Sequence, residues 1–203
     1  MTEENKIKPL ILNNENELLE GVEKIFVANV ALEELFYIEN PSMPKGDPST
    51  RELVNKFITS SNIKKIWIYF PKINKAIYTL EEEYFYKLKT ARNRNIIDEV
   101  EQNKYRNLKV GIAGLSVGSA IAYMLSRTGG PKFLRLADFD TLELTNLNRI
   151  VLSTPDLNRP KIEAVAEELW KIDPYLDLDL WPNGIREDDL EKSQEYLQKA
   201  KDI

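Results

Sequence analysis

The second half of this chain predicts a Rossmann-like α/β fold, a mostly parallel sheet preceded by a smaller α+β region, and three observations carry that expectation. An apolar run at residues 108–113 enters the turn Gly114-Leu115-Ser116-Val117-Gly118-Ser119, a stretch of helical composition follows at 119–128, and a second apolar run at 133–137 ends in Asp138. Strand, turn, helix and strand in that order make a βαβ unit, and a short apolar strand without polar alternation belongs to a sheet covered on both faces. The composition shifts near Tyr105-Arg106-Asn107, which divides the chain into an N-terminal region of residues 1–104 and a nucleotide-type region of residues 105–203.

The N-terminal region mixes elements. Residues 15–24 and 31–38 have helical spacing, and residues 40–48, with Pro41, Pro44, Gly46 and Pro48, form a loop. Ser49 ahead of Glu52 predicts a capping box for a helix running to about Thr59. Residues 63–70 and 75–80 are rich in β-branched and aromatic side chains and, with Pro71-Lys72-Ile73-Asn74 between them, predict a hairpin. Residues 80–89 predict a helix capped by Thr79, with acids in its first turn and lysines in its last, as the helix dipole favours. It delivers the chain to Arg92 and Arg94. The aromatics Trp67, Tyr69, Phe70, Tyr78, Tyr84, Phe85 and Tyr86 fit a binding platform or, as the area they bury favours, a core.

Residues 105–203 carry the chemistry. Gly114 and Gly118 let the backbone turn tightly and approach a phosphate, Ser116 and Ser119 share the turn, and the free amides and dipole of the new helix favour anionic oxygens. Gly129-Gly130-Pro131 stops that helix. Asp138 lies about 20 residues beyond the glycine turn, where an acid bonds a ribose hydroxyl. The glycines depart from the dinucleotide spacing G-x-G-x-x-G, with serine at its second and third glycine positions, and the same turn also suits any strand-to-helix junction. The residues after Asp138 change the balance. Asp140 and Glu143 extend an acidic strand end, and Asn146, Asn148, Arg149 and Lys161 bring amide and cationic groups into the same region. Singly, Arg149 or Lys161 reads as a solvated cation and Asp140 or Asn146 as a turn or cap residue. As an ordered set they suit a ribose, a metal-bound triphosphate and a developing negative charge. Residues 162–172 then predict a helix with Ile162, Val165, Ala166 and Leu169 on one face, ended by Asp173-Pro174. Residues 177–181 predict the third strand, Asn183-Gly184 a turn, and residues 187–199 a polar helix.

From residue 108 to about residue 179 the chain resembles the nucleotide-binding half of the ThiF/MoeB/HesA superfamily, the activating enzymes of ubiquitin and of ubiquitin-like sulfur carriers. The matching pieces are the glycine turn, Asp138-Phe139-Asp140, Asn146-Leu147-Asn148-Arg149, Pro160-Lys161 and, upstream, Arg92-Asn93-Arg94-Asn95-Ile96. The resemblance implies adenylation: ATP and a carboxylate, usually the C-terminal Gly-Gly of a ubiquitin-like or sulfur-carrier protein, give an acyl-adenylate and pyrophosphate. It implies that Asp138 bonds the ribose, Asn146 and Arg149 hold phosphates, Lys161 neutralises charge near the α-phosphate, and Arg94 reaches the phosphates of the neighbouring subunit in a homodimer. The chain departs from the family's turn, G-x-G-G-x-G-S, by carrying Ala113, Leu115 and Ser116 at glycine positions, and the segment between Arg149 and Lys161 is shorter by one. The family's metal-binding aspartate lies on a later strand, and the chain stops at Ala200-Lys201-Asp202-Ile203 where that strand should begin. The expectation is a truncated fragment, inactive alone, that uses ATP and magnesium, contains no metal ligand itself, and leaves the magnesium aspartate, the carboxylate cleft and any catalytic cysteine beyond Ile203.

Composition narrows the function classes. The chain has 203 residues, 42% hydrophobic and 30% charged, enough for one large or two small domains. A net charge of −5 argues against general nucleic-acid binding. The absence of cysteine excludes disulfides and fits a reducing compartment, and no stretch approaches the roughly 18 apolar residues of a membrane span, so a cytoplasmic protein without membrane contact is expected. The absence of histidine is no obstacle to adenylation, because a carboxylate is already a nucleophile at neutral pH. Two other classes remain: a NAD- or FAD-binding oxidoreductase, which leaves the cationic pair without a purpose, and a non-catalytic activating-enzyme-like partner, which the altered glycine turn leaves open.

Overall fold

The computed structural model describes residues 7–185 and resolves them into two compact units, one of Lys8–Arg94 and one of residues 95–185 together with Ile7. The boundary expected between residues 104 and 105 falls inside a helix of the second unit, Glu99–Asn107. The polar helix expected at 187–199 lies outside the described residues.

In the first unit, strands β1 (Leu10–Leu12), β2 (Glu23–Phe26), β3 (Lys65–Phe70) and β4 (Lys75–Leu80) form one sheet in the order β1-β3-β4-β2. The expected hairpin is β3 and β4, antiparallel, closed by the 3-10 turn Pro71–Ile73 and by Asn74 in the left-handed region at φ 51°. The expected helix at 15–24 does not form. The Glu17 carboxylate instead accepts the amides of Asn13 and Asn14, and after Gly21 at φ 75° the chain pairs in parallel with β4 as β2. Sheet pairing overrides local spacing here. Helix α1 (Ala28–Glu39) buries Ala28, Leu32, Leu35 and Phe36 on one face. Helix α2 (Pro48–Ser60) is capped two residues earlier than Ser49, because the Asp47 carboxylate accepts the amides of Ser49 and Thr50 and Pro48 presets the first helical residue. Helix α3 (Glu82–Thr90) starts later than expected and without the Thr79 cap: Thr79 and Leu80 stay in β4, where Leu80 pairs with Lys65 and is fully buried.

The second unit opens with α4 (Glu99–Asn107), started by a capping box between Asp98 and Glu101. Then come β5 (Lys109–Ala113), α5 (Leu115–Arg127), β6 (Phe133–Ala137), α6 (Lys161–Ile172) and β7 (Asp177–Trp181). The sheet runs in the order β5-β6-β7, all parallel, with β5 at one edge. Successive parallel neighbours joined by right-handed crossovers place both helices on one face, and the core there is Ile112, Leu134, Leu136 and Leu178 from the strands against Leu115, Tyr123, Ile162, Leu169 and Trp170 from the helices. Trp170 is fully buried and donates its indole N–H to the Leu176 carbonyl. The register aligns Ala113, Ala137 and Trp181 at the carboxyl end, where all three strands deliver the chain to the same rim.

The approach of α5 to β5 depends on Gly118. A Cβ there would lie 2.5 Å from the Ile112 Cγ2 methyl. Gly118→Ala is expected to destabilise the second unit by about 1–3 kcal/mol through overpacking, read as a lower urea midpoint at unchanged m-value.

Candidate functional site

The site begins where β5 ends. Gly114 has φ 83°, a conformation suited to glycine, and occupies the N-cap of α5; its amide donates to the Ala137 carbonyl at 2.8 Å, joining the tips of β5 and β6. The position a Cβ would take opens onto space with no atom within 4 Å. One step along, the Leu115 amide donates to Asp138 Oδ2 at 2.6 Å. The other oxygen of the same carboxylate, Oδ1, accepts the Asp140 amide at 2.8 Å. The Asp138 amide donates to the Trp181 carbonyl at 3.3 Å, which brings in the tip of β7. Asp138 is buried and thus spans the glycine turn and its own loop. The Ser116 and Val117 amides, in the first turn of α5, have no partner among the described residues, so the helix presents unsatisfied donors beside Asp138. Ser119 is buried and its hydroxyl donates back to the Ser116 carbonyl.

Two loops then close against each other. The Lys161 amide donates to the Asp140 carbonyl, the Leu142 amide to the Arg159 carbonyl, and the Asn158 amide to the Leu142 carbonyl, each at 2.9 Å. This short antiparallel contact puts the Lys161 ammonium 2.7 Å from Asp140 Oδ2. The lysine side chain is 4% exposed and the aspartate 50%. A buried cation is held only with a partner, and here the partner's carboxylate remains in water.

Asn146 is buried in the 3-10 turn Leu144–Asn146. Its side-chain oxygen accepts the Glu143 amide at 3.0 Å and its carbonyl accepts the amides of Arg149 and Ile150, so it organises the turn. Arg149 is exposed and folds over that turn, donating to the Thr145 carbonyl and to the side chain of Asn148. Among the described residues it makes no hydrogen bond or ion pair with Asp138, Asp140 or Lys161. Arg94 lies in the other unit, where its guanidinium donates to the Ile38 carbonyl at 3.1 Å. The structure therefore bonds Asp138, Asp140 and Lys161 to one another, with Leu115 on Asp138 and Gly114 tied to Ala137 beside them, and places Asn146, Asn148 and Arg149 in a second group. No group of three or more acidic, histidine or cysteine side chains able to hold a metal ion occurs among the described residues.

Sequence reasoning missed the clamp behind Lys161. Arg159 bridges Asp156 at 2.6 Å and Glu167 at 2.5 Å, and Lys171 lies 2.9 Å from Glu167 and 2.6 Å from Glu168. Burial pushes the Glu167 carboxyl up, but Lys171 and Arg159 outweigh it and hold it below the ordinary glutamate range. Asp156 behaves alike: burial raises it, and the amide and hydroxyl of Ser153 with Arg159 bring it below the usual range. Burial works against the Arg159 charge, and its two carboxylates more than compensate. The only local signal is Ser153 three residues before Asp156, a capping box for the 3-10 turn Thr154–Asp156.

A strand-to-helix turn at the rim of a parallel sheet, with an acid at the next strand end, defines a Rossmann-like α/β unit. The ThiF family model matches residues 90–202, and the chain belongs to the ThiF family. It is 40% identical over 121 residues to the uncharacterized protein MT1398 of Mycobacterium tuberculosis (strain CDC 1551 / Oshkosh), covering 60% of this chain and 17% of that protein. It is 34% identical over 108 residues to ubiquitin-like modifier-activating enzyme 5 of Dictyostelium discoideum, covering 52% of this chain and 28% of that enzyme. The chain thus spans less than a third of the length of either relative. Among solved structures, the E. coli tRNA N6-threonylcarbamoyladenosine dehydratase TcdA in complex with ATP shares the fold, with a TM-score of 0.51 at 20% identity over 57% of this chain and 47% of that one. No helix among the described residues is long and apolar enough to cross a membrane.

The depressed carboxyls carry a pH dependence with a definite sign. Groups whose folded values lie below their unfolded ones stabilise the protein above the ordinary carboxylate range, and that stabilisation is lost as pH falls through the folded values. Melting temperatures recorded from about pH 6 down to about pH 3 are expected to fall, and Glu167→Gln is expected to lower the plateau and shallow the decline; an unchanged slope would remove Glu167 from the clamp.

Proposed function

We propose that this chain carries the nucleotide-binding part of an ATP-dependent adenylating enzyme, which activates a carboxylate as its acyl-adenylate. The observation that carries the reading is the bonded set of Asp138, Asp140 and Lys161 beneath the free amides of α5. Membership of the ThiF family supports it.

The residues present fit ATP. The turn at Gly114 has room for a close approach, the Ser116 and Val117 amides offer donors to phosphate oxygens, and Asp138 stands at the strand end where a ribose hydroxyl is bonded. Lys161 supplies positive charge at the α-phosphate, exchanging its Asp140 partner for the anionic oxygens. Asn146 and Arg149 hold the phosphates farther out. In the reaction a carboxylate oxygen bonds to the α-phosphorus, the bond to the bridging oxygen of the β-phosphate breaks, and pyrophosphate leaves. No proton need be removed. The contribution of these side chains is alignment and neutralisation of charge on the five-coordinate phosphorus. Magnesium would neutralise the leaving pyrophosphate.

The substrate of this reading is the C-terminal carboxylate of a ubiquitin-like or sulfur-carrier protein or peptide. The setting is a cytoplasmic homodimer in which Arg94 reaches across to the partner's phosphates. Full-length protein with Lys161→Ala is expected to lose ATP-pyrophosphate exchange by about two to three orders of magnitude, and calorimetry is expected to find ATP-magnesium bound in clear preference to NAD. Equal binding of NAD would favour an oxidoreductase, and ATP binding without exchange would favour a non-catalytic partner.

A further inference from the structure

Arg159 stands two residues ahead of Lys161, and its guanidinium is divided between two carboxylates on opposite sides of it in the chain. Nη1 donates to Asp156 Oδ1 in the preceding 3-10 turn, and Nη2 donates to Glu167 Oε2 on α6, the helix that Lys161 opens. The Asp156 carboxylate also accepts the amide and hydroxyl of Ser153 at 3.1 Å each, so the turn that holds it is itself fixed. Glu167 is buried, with Lys171 as its second cation. The main chain of Arg159 is tied as well, since its carbonyl accepts the Leu142 amide from the loop that carries Asp140. Between Arg159 and Lys161 stands only Pro160, whose ring fixes φ at −53°, and the preceding Asn158 is held in the left-handed region at φ 65°. Little rotational freedom separates the anchored guanidinium from the first residue of the helix.

We propose that Arg159 is a positioning residue for Lys161: by stapling the segment ahead of α6 to Glu167 on the same helix, it fixes where the Lys161 ammonium stands relative to Asp140 and to a bound phosphate. The inference rests on the reading that Lys161 meets the α-phosphate. Arg159 directs its guanidinium to Asp156 and Glu167, makes no hydrogen bond to Lys161, and acts through the backbone. Lysine is a poor substitute, because a single ammonium lacks the fork that spans two carboxylates.

The test separates phosphate recognition from folding. Dissociation constants for ATP and for adenosine are measured by calorimetry on full-length wild type, Lys161→Ala, Arg159→Ala and Arg159→Lys, with thermal melts as a check. Arg159→Ala is expected to weaken ATP by about tenfold while leaving adenosine unchanged, and Arg159→Lys to recover only part of the loss. Equal weakening of ATP and adenosine, or full recovery by lysine, would overturn the inference and leave a general structural role. If Lys161→Ala weakens ATP and Arg159→Ala does not, positioning fails while the adenylation reading stands. If Lys161→Ala itself leaves ATP binding unchanged, that reading fails and the inference falls with it. Should Arg159→Ala not fold, Glu167→Gln removes one end of the staple and carries the same comparison.

Discussion

The Asp138 carboxylate is the interaction on which the site depends. One oxygen takes the first amide of α5 and the other takes the amide of Asp140, so a single buried side chain sets both the helix start and the path of the loop after β6. An ionised carboxylate accepting backbone N–H bonds is among the stronger hydrogen-bonded arrangements. Without it the glycine turn and the acidic loop would share only main-chain contacts at the strand tips. The same residue therefore has a structural duty before any ligand arrives, and its loss would disturb more than one ligand contact.

That clamp sets the geometry of the connection beyond it. A loop fixed by Asp138 meets the segment ahead of α6 in a short antiparallel contact, and the contact brings a buried ammonium against Asp140. The pair is asymmetric, with the cation withdrawn and the anion solvated. Such a lysine is ready for an anionic visitor without carrying an unpaired charge in the interior, where desolvation would make that arrangement costly. Arg159 repeats the theme one layer out, with its charge satisfied entirely by carboxylates of the same connection.

How much of this was legible in the sequence depends on how local each cause is. Strands 133–137 and 177–181 matched residue for residue, the first as a short run ended by Asp138 and the second as the alternating stretch Asp-Leu-Asp-Leu-Trp closed by the turn at Asn183-Gly184. The helix opened by Lys161 was visible from Pro160 and the apolar face behind it. Helix starts governed by a side chain were harder: Asp47 displaced Ser49 as the cap of α2, and the Asp98-Glu101 box that starts α4 passed unread, which left the expected boundary inside a helix. Residues 15–24 failed because pairing with β4 is a nonlocal cause. In the site, the sequence groups Asp138 and Asp140 with Asn146, Asn148, Arg149 and Lys161, whereas the structure bonds Asp138, Asp140 and Lys161 to one another and leaves Arg149 folded over its own turn. The bonds that gather them, and the bridge from Arg159 to a residue two helical turns away, have no signature in spacing. Arg149 illustrates the converse: its place in the motif was plain, while its conformation over its own turn was not.

The edge position of β5 has a consequence for how the sheet can extend. Its far side is a row of main-chain donors and acceptors with no strand against it among the described residues. Such an edge is a template for another strand. A strand added there would grow the sheet away from β6 and β7, and in open α/β sheets the crevice that grips a ligand forms at that reversal of direction. Gly114 stands directly above it. The free side that β5 presents among the described residues thus sets both where the sheet can be lengthened and where its cleft would open.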